Sequence, residues 1–594
     1  MPRYQAPLDD IRFVLEDLLD VGQEANLPGF EEVTPDILFQ VITEGAKLCE
    51  DVLFPLNQSG DAEGCTFDQG AVRTPAGFKQ AYSKFAEGGW TGLACDPAYG
   101  GQGLPELLNF VVEEMICSAN LAFGMYPGLS RGVHNALDLH ADEAIKRRYL
   151  PRLIDGTWAG TMCLTEPQSG SDLGLVRTRA EPEDDGSFRI TGNKIFISAG
   201  EHDLTANIVH LVLARLPGAP AGTRGISLFI VPKLLPTDDE GGLGETNAVT
   251  CGAIEHKMGI RASSTCALNF DGALGWLVGE ANKGMRAMFT MMNAARLAVG
   301  IQGLGLAEVA YQNALAYARE RLQGRALKGA RYPDRPADPL LVHPDVRRML
   351  LTQKALIEGG RALAYWVGLA IDRAEHHPDP KIRDAENELV ALMTPIVKAL
   401  LTDIGFDVAN LAVQVFGGAG YVRESGVEQY VRDARITQIY EGTNGIQALD
   451  LVGRKLPQNM GRQLRRFFHP ISEELAAILA GDDAVLIELA SPLAKAFGRL
   501  QTATTTIAFR GLDDPDEAAA AASDYLRLFG LVALGAMWLR MAAVVQARPE
   551  HPLAASKLAT ARFYMAKLLP ETSGRFSAIM AGAKTVMAAA DAAL

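Results

Sequence analysis

The sequence predicts a mainly α-helical protein with a small β domain, a sandwich or a barrel, inserted between helical blocks. Three observations predict this class. Apolar residues recur at helical spacing through residues 1–158 and again from residue 285. Between them, short β-branched runs alternate with long connections rich in Gly, Pro and Asp. The last block, from residue 457, is rich in alanine and again has helical patterning with its own turns.

Helix start signals support the division into blocks. Asp9 and Asp10 precede an apolar stripe that begins at Ile11, and Thr34-Pro35 supplies an N-cap followed by proline at the first helical position. The length of 594 residues corresponds to about four domains. We therefore predict an N-terminal helical domain, a middle β-barrel domain, a helical-bundle domain and an extra C-terminal helical domain at residues 1–158, 159–284, 285–456 and 457–594.

Within the β domain, Gly192-Asn193 lies between two β-prone runs and predicts a two-residue hairpin. Further strands are predicted at residues 208–213, 226–231 and 266–270.

Charge and cysteine usage restrict the class of partner. The net charge of -15 disfavours a nucleic acid or an anionic membrane as a partner, because both require basic patches. Seven scattered cysteines without a CxxC pair are typical of reduced, mostly buried thiols in a cytoplasmic protein. No signal peptide is recognisable at the start. The most apolar run, 528–539, is too short to span a bilayer, so we predict a buried helix and no transmembrane segment.

Several common catalytic motifs are absent. Gly303-Leu304-Gly305 lacks the third glycine of a dinucleotide fingerprint and lies within a helical pattern. The sequence contains no Walker loop, no HExxH spacing among its ten histidines and no GxSxG elbow, so neither a metal site nor an acyl-serine is predicted.

Glu441 is the most informative residue. It lies in Gln438-Ile439-Tyr440-Glu441-Gly442-Thr443, among mostly apolar neighbours. An apolar environment raises the pKa of a carboxyl group, as a general base near neutral pH requires. A solvated carboxylate at a helix end is the alternative interpretation.

Other segments each allow a structural and a functional interpretation. Thr165 to Asp172 is a small-residue loop that is either a turn or a cradle for a phosphate or flavin. Phe196 and Ser198 lie two apart on a strand and face one side. The remaining segments are compatible with ordinary helix interiors or helix ends: Met292 to Arg296, Arg321 with Gln323-Gly324-Arg325, and Gln414 to Tyr421.

Taken together, these segments resemble the acyl-CoA dehydrogenases, FAD enzymes of fatty acid β-oxidation. The resemblance covers about residues 88–455, and the block after Leu456 resembles the larger members of the family. It rests on the order and spacing of Thr165-Glu166-Pro167 with Gly170-Ser171-Asp172, Gly192-Asn193-Lys194, Lys257 to Arg261, Gly279-Glu280 with Lys283-Gly284, Gln414 to Gly418, Arg432-Asp433 and Ile439 to Thr443.

The resemblance implies an acyl-CoA dehydrogenase-like fold and a role for each matching residue. Glu441 matches the catalytic base. Residues expected at FAD, partly from a neighbouring subunit, are Leu164, Thr165, Ser171, Phe196, Ser198, Arg321, Gln323, Gln414, Gly417, Gly418 and Thr443. Residues expected at the acyl-CoA are Ser171, Asn293, Arg296, Glu441 and Gly442.

Two residues depart from the family pattern. Asn293 stands where many members carry Asp, and Gly445 replaces a frequent Gln. Residues 292–296 contain no carboxylate, so Glu441 has no competing base in that segment.

The expected reaction is α,β-dehydrogenation of an acyl-CoA to trans-2-enoyl-CoA, with electrons passed to an electron-transfer flavoprotein. By analogy the protein is a homodimer. Medium acyl chains, long acyl chains and the methylthiopropionyl group all remain open as substrates, and the acyl pocket is expected between residues 111–123 and 288–298. The alternatives are an oxidase that uses oxygen, a flavin-containing nucleic-acid-binding protein of the alkylation-response type, and a scaffold without activity.

Overall fold

The computed structural model describes residues 2–589 and divides the chain into two compact units. Glu44–Ala298 forms one, called here the sheet unit, and residues 1–43 with 299–594 form the other, called here the helical unit. The helices in chain order are α1 Leu8–Arg12, α2 Pro35–Leu48, α3 Pro55–Glu63, α4 Phe78–Glu87, α5 Glu106–His140, α6 Glu143–Ile154, α7 Gly284–Glu320, α8 Pro344–His376, α9 Pro380–Phe416, α10 Val427–Thr437, α11 Asn444–Asp450, α12 Arg462–Ala480, α13 Ala484–Asp513, α14 Pro515–Ala547, α15 Ala554–Phe563, α16 Glu571–Ala581 and α17 Lys584–Met587.

The strands belong to the sheet unit. In chain order they are β1 Thr66–Asp68, β2 Ala71–Arg73, β3 Trp158–Cys163, β4 Arg179–Pro182, β5 Phe188–Ser198, β6 Asn207–Arg215, β7 Ile226–Pro232, β8 Leu234–Pro236, β9 Leu243–Thr246, β10 Val249–Ile254 and β11 Thr265–Val278. Seven of them form one sheet in the order β10-β11-β5-β4-β6-β3, with β7 paired to both β11 and β6. The predicted β-rich segment between helical segments is therefore confirmed, whereas a closed barrel is not established by this pairing.

The predicted hairpin at Gly192-Asn193 is wrong. Residues 188–198 form the single strand β5, in which Gly192 and Asn193 pair with Phe270 and Asn269 of β11. Gly192 serves another purpose: a Cβ at this position would clash with Thr178. Glycine inside a strand often marks such a close approach of a neighbouring chain segment. The other predicted strands are confirmed as parts of β6, β7 and β11.

The helical unit is built around α7, α8 and α9, and the helices that follow residue 456 belong to the same compact unit. The Trp538 ring of α14 is fully buried, and its indole N–H donates to the Ala355 carbonyl of α8 at 2.9 Å. Phe467 of α12 packs against Phe529 with ring centroids 4.8 Å apart. The division into four domains stays a prediction, since the described helices form fewer compact units than that.

A buried ionic cluster joins distant parts of the helical unit. Arg361 of α8 pairs with Asp10 of α1 and with Glu308 of α7, the latter at 2.6 Å. Lys557 of α15 pairs with the same Asp10 and with Glu358 at 2.8 Å. Helices α1 and α15, which lie near opposite ends of the chain, are therefore connected through charges that water barely reaches.

Long apolar helices require a correction to the sequence prediction. The run at 528–539 lies within α14, which has 33 residues and is long and apolar enough to cross a bilayer by length and composition alone. Glu106–His140 and Pro380–Tyr421 meet the same criterion. In all three, about four-fifths of the apolar window is buried inside the protein, as predicted for residues 528–539.

Candidate active site

Glu441 lies in the short connection between α10 and α11, in the helical unit. It is half-buried, and its φ of +55° places it in the left-handed region. A side chain of this size adopts that region rarely and at a cost of about 1–3 kcal/mol, and such residues cluster at functional sites. The next residue, Gly442, has a φ of +84°. The connection thus has a specific, strained conformation that its surroundings must maintain.

Two fully buried side chains hold the carbonyl groups of this connection. Lys398 Nζ of α9 donates to the Gly442 carbonyl at 2.9 Å. Gln447 Nε2 of α11 donates to the Glu441 carbonyl at 3.0 Å and to the Gly442 carbonyl at 3.3 Å. Neither residue was singled out from the sequence.

The ends of the connection are also fixed to α9. Asp403 Oδ1 accepts from Gln438 Nε2 and from Asn444 Nδ2, each at 2.7 Å. The Thr443 hydroxyl caps α11 by accepting from the Ile446 N–H at 3.2 Å. Residues 438–444 are therefore anchored at both ends and in the middle.

The environment of Glu441 is only partly as apolar as the sequence indicated. Ile436 and Ile446 are half-buried, while Ile439 is 44% exposed. The Tyr440 hydroxyl donates to Gln302 Oε1.

In the sheet unit, the predicted flavin loop is folded around one carboxylate. Glu166 is buried and accepts hydrogen bonds from Lys194 Nζ at 2.8 Å, the Thr178 hydroxyl at 2.6 Å and the Arg177 N–H at 2.7 Å. Although burial opposes ionisation, the Lys194 ammonium and these hydrogen bonds lower the pKa of Glu166 to about 2. Lys194 also donates to the Leu164 carbonyl at 3.0 Å, which fixes the start of the loop.

Phe196 lies at a β-bulge, where the register between β5 and β11 shifts between Cys266 and Leu268. Its φ is +57° and its ring is 59% exposed. Bulges are frequent beside active sites, where they redirect a side chain. Ser198 is half-buried two residues further on, and Ile197 between them is buried.

Three hydroxyl groups of the predicted flavin site are available to a ligand. Those of Thr165, Ser171 and Ser198 form no hydrogen bond with any group in residues 2–589. Thr165 lies beside β5, because its carbonyl accepts from the Ile195 N–H at 2.9 Å. An exposed ring with hydroxyls that lack protein partners fits a planar ligand with hydrogen-bonding edges, as a flavin is.

The predicted substrate residues of α7 lie one turn apart. Arg296 is buried and its Nη1 donates to Asn293 Oδ1 at 3.4 Å, whereas Asn293 itself is exposed. The side chain of Arg296 is therefore not solvated, and its role at the acyl-CoA stays a prediction.

A cavity of about 60 Å³ lies between α5 and the first half of α7. Its walls include Val112 and Ile116 on one side and Ala294, Ala295 and Ala298 on the other. These are the two segments from which the sequence predicted the acyl pocket.

The lining of the cavity also includes charged and polar side chains, which were not predicted. Glu106 pairs with Arg131, whose Nε donates to Asn135 Oδ1 at 3.2 Å. Glu113 lines the same cavity, and burial, with a further contribution from Glu106, raises its pKa to about 7. The cavity therefore contains a carboxyl group that titrates near neutral pH.

The remaining predicted cofactor residues lie at another end of the helical unit. Arg321 follows α7 and Gln414 precedes the end of α9, and the rings of Tyr317 and Phe416 bring these helix ends together at 4.2 Å. Arg321, Gln323, Gln414, Gly417 and Gly418 are exposed. Gln414 is sixteen residues from Lys398 along α9, about 24 Å. The structure therefore does not bring this group to the Glu441 connection.

Lys398 could have been noticed from its sequence context. It is the one charge in the apolar run Ile396-Val397-Lys398-Ala399-Leu400-Leu401. A lysine at such a position must find buried acceptors, although the sequence does not say which. Within the described residues no group of His, Cys, Asp and Glu side chains is arranged to hold a metal ion.

Comparisons with known proteins agree with this fold. Family models match in order: the acyl-CoA dehydrogenase N-terminal domain at residues 47–157, the middle domain at 161–273, the C-terminal domain at 282–456, and an acetyl-CoA dehydrogenase C-terminal-like domain at 467–590. The 3-methylmercaptopropionyl-CoA dehydrogenase of Ruegeria pomeroyi is 43% identical over 580 residues, covering 97% of this chain and 98% of that protein. A butyryl-CoA dehydrogenase of Syntrophomonas wolfei is 33% identical, covering 97% of each chain.

Among solved structures, an acyl-CoA dehydrogenase from Bacillus anthracis complexed with FAD has the same fold, with a TM-score of 0.73 and 22% identity over 93% of this chain and 88% of that one. The family models and the two relatives show that the protein is an oxidoreductase of the flavoprotein class. The chain belongs to the acyl-CoA dehydrogenase family, whose members bind FAD.

Proposed function

We propose that this protein catalyses the FAD-dependent α,β-dehydrogenation of a short-chain acyl-CoA to the trans-2-enoyl-CoA, with Glu441 as the base. The observation that carries the proposal is the conformation of Glu441, a half-buried carboxylate in a left-handed backbone held by buried donors. Such rigid placement is what proton abstraction from a weakly acidic carbon requires.

In this proposal a carboxylate oxygen of Glu441 removes the α-proton of the thioester. The Glu441 N–H donates to the thioester carbonyl and stabilises the negative charge that develops there, which is worth roughly 3–4 kcal/mol per donor in comparable sites. FAD, when bound, supplies the acceptor for the β-hydrogen and its electron pair. Phe196, Thr165, Ser171 and Ser198 are proposed to hold the flavin ring, and Asn293 with Arg296 the acyl-CoA.

The short acyl chain is supported by two observations. The cavity between α5 and α7 measures about 60 Å³, room for only a few heavy atoms. Two of the similar proteins are named for 3-methylmercaptopropionyl-CoA and butyryl-CoA, both of which carry short acyl groups. We extend that substrate class to this chain, with an electron-transfer flavoprotein as the electron acceptor, a homodimer as the assembly and the cytoplasm as the compartment.

The decisive experiment is anaerobic flavin reduction with a panel of acyl-CoA thioesters. The wild-type protein should bind FAD and be reduced fastest by butyryl-CoA and 3-methylmercaptopropionyl-CoA, and more slowly by octanoyl-CoA and palmitoyl-CoA. Turnover with an electron-transfer flavoprotein, compared with peroxide formation under air, identifies the acceptor. A protein that takes up no FAD, or whose flavin no acyl-CoA reduces, would refute the proposal.

The role of Glu441 is tested by Glu441→Gln, which keeps the shape of the side chain and removes its basicity. Bound FAD should be retained, while the rate of flavin reduction should fall by roughly 10²–10⁴-fold. Glu473→Gln, an exposed carboxylate of α12 in the same unit, is the matched control and should be reduced at the wild-type rate. Equal rates for wild type and Glu441→Gln would exclude Glu441 as the base.

A further inference from the structure

Lys398 is the unusual residue of α9. Its side chain is fully buried between apolar neighbours, and its ammonium donates to the Gly442 carbonyl and to Asn444 Oδ1, each at 2.9 Å. Taking an ammonium out of water costs several kcal/mol, so a buried lysine persists only where acceptors are placed for it. The first acceptor belongs to the connection that carries Glu441, and the second is the first residue of α11, directly after it.

Gln447 completes the arrangement from the other side. It is also fully buried, and it donates to the carbonyls of Glu441 and Gly442. Fixing the Glu441 carbonyl fixes ψ of Glu441. Since the carbonyl and N–H of a trans peptide point in opposite directions, the N–H groups of Gly442 and Thr443 are oriented as well.

The conformation held in this way is one that the segment would not keep by itself. Glu441 has a φ of +55°, which is unfavourable for a residue with a Cβ. Without the donors from α9 and α11, the backbone at Glu441 is free to relax to a negative φ, which redirects the carboxylate. A displacement of about 1 Å at a reacting group can cost about 10²-fold in rate.

We propose that Lys398 is a positioning residue for Glu441. It holds the Glu441–Gly442 backbone in its left-handed conformation through the Gly442 carbonyl and Asn444, and thereby sets the rate of α-proton removal. Gln447 assists it. This inference rests on the proposed function, because it assigns Lys398 a role in the reaction of Glu441.

The test replaces the ammonium by an apolar group of similar length. Lys398→Met should retain FAD and bind acyl-CoA within about threefold of the wild-type affinity, while the rate of flavin reduction falls about 10–100-fold. Thr394→Val is the matched control, since Thr394 is a buried polar residue of the same helix whose hydroxyl donates only to the Val390 carbonyl. The flavin of Thr394→Val should be reduced at the wild-type rate.

A double-mutant cycle separates positioning from general damage to the fold. If Lys398 acts through Glu441, then Lys398→Met combined with Glu441→Gln reduces flavin no more slowly than Glu441→Gln alone. Effects that multiply in the double variant, or a wild-type rate for Lys398→Met, would overturn the inference. Should Lys398→Met fail to fold, Gln447→Met decides in the same assays: a lowered rate with retained affinity supports positioning, and a wild-type rate overturns it.

The outcomes also separate this inference from the proposed function. If wild-type protein is reduced by acyl-CoA and Glu441→Gln is slow, but loss of Lys398 or Gln447 changes nothing, only the positioning role fails. If no acyl-CoA reduces the wild-type flavin, the proposed function fails and the inference fails with it.

Discussion

The ionisation state of Glu113 should affect how tightly an acyl group binds in the cavity between α5 and α7. Burial, followed by the field of Glu106, raises its pKa to about 7, so the carboxyl is mainly neutral below that pH and mainly ionised above it. An acyl tail that enters the cavity displaces water from this group, which is unfavourable only for the ionised form. The affinity for a short acyl-CoA should therefore decrease as the pH rises through 7.

The prediction is checked by measuring KM for butyryl-CoA between pH 6 and 8.5. KM should rise several-fold above pH 7 in the wild-type protein and stay level in Glu113→Gln. Asp184→Asn, which changes an exposed carboxylate of the sheet unit, should keep the wild-type profile. A KM that is independent of pH in the wild-type protein would show that the acyl tail does not lie beside Glu113.

At the residue scale, the sequence indicates which side chain is catalytic better than it indicates which side chains contact it in the fold. Glu441 could be selected as the candidate base because the residues next to it in the chain are mostly apolar. Lys398 could not be linked to it, because the contact joins residues 44 apart and depends on how α9 packs against the connection after α10. The burial of Arg296 could not be predicted for the same reason: helical spacing does not reveal which residues face the arginine.

At the scale of elements, the crossing of α7 and α9 depends on two glycines. A Cβ at Gly303 would clash with the Leu401 carbonyl oxygen, and a Cβ at Gly405 would lie 2.6 Å from the Gly303 carbonyl oxygen. Backbone atoms cannot move away as a flexible side chain does. Gly303, part of the incomplete dinucleotide fingerprint, thus allows two helices to approach closely.

Gly303→Ala and Gly405→Ala should each lower the free energy of unfolding by about 1–3 kcal/mol, because overpacking outweighs the gain of roughly 1 kcal/mol in helix propensity. Gly498→Ala in α13 is the matched control. No atom lies within 4 Å of its added Cβ, so it should stabilise the protein by up to about 1 kcal/mol. Urea unfolding measures all three, and a stabilised Gly303→Ala would contradict the packing argument.

Strand β5 illustrates where element prediction fails. Gly-Asn between β-prone runs is a strong local hairpin signal, yet the strand continues because β11 pairs with it across both residues. Gly192 is needed because a Cβ there would clash with Thr178, and the local sequence does not show this contact. The helix beginning at Pro35, in contrast, was predictable because its start signals are local.

At the scale of the whole molecule, acid should destabilise the sheet unit before the helical unit. Burial lowers the pKa of His134 to about 4 and that of His202 and His210 to about 3, so each is neutral when folded. Their folded pKa values lie below the unfolded value of about 6.5, so the stability they contribute is complete above pH 6.5 and is lost as the pH falls toward 3–4. Each contributes a slope of up to about 1.4 kcal/mol per pH unit.

In the helical unit, Asp10 has its pKa lowered to about 2: burial opposes ionisation, but Lys557 and Arg361 outweigh it. Its contribution is present above pH 3.8 and is lost only below that. Hydrogen exchange at pH 7.5 and pH 5 should therefore show weakened protection in residues 44–298 first. His210→Gln, which keeps a polar partner for the Thr161 hydroxyl, should reduce this difference. An equal loss of hydrogen-exchange protection in both units at pH 5 would contradict the prediction that the buried histidines destabilise the sheet unit first.

The order of helical and β segments along the chain was predictable because hydrophobic period changes where the architecture changes. The ionic cluster was not predictable. Asp10, Arg361 and Lys557 have no distinctive sequence context, and they form ion pairs only because α1, α8 and α15 pack together. Long-range electrostatics is the part of the fold that local patterns reveal least.

That cluster also has a bearing on how the chain is made. Asp10 and Lys557 are separated by 547 residues, so at about 5–20 residues per second the aspartate emerges from the ribosome roughly 27 to 110 s before its lysine exists. During translation the packing site of the first helix is therefore incomplete. Asp10 and Glu358 lack the Lys557 ammonium as a counter-charge until synthesis is nearly over. Nascent chains stalled before residue 557 should accordingly remain open to protease near their amino terminus, and become resistant only once the last helices are released.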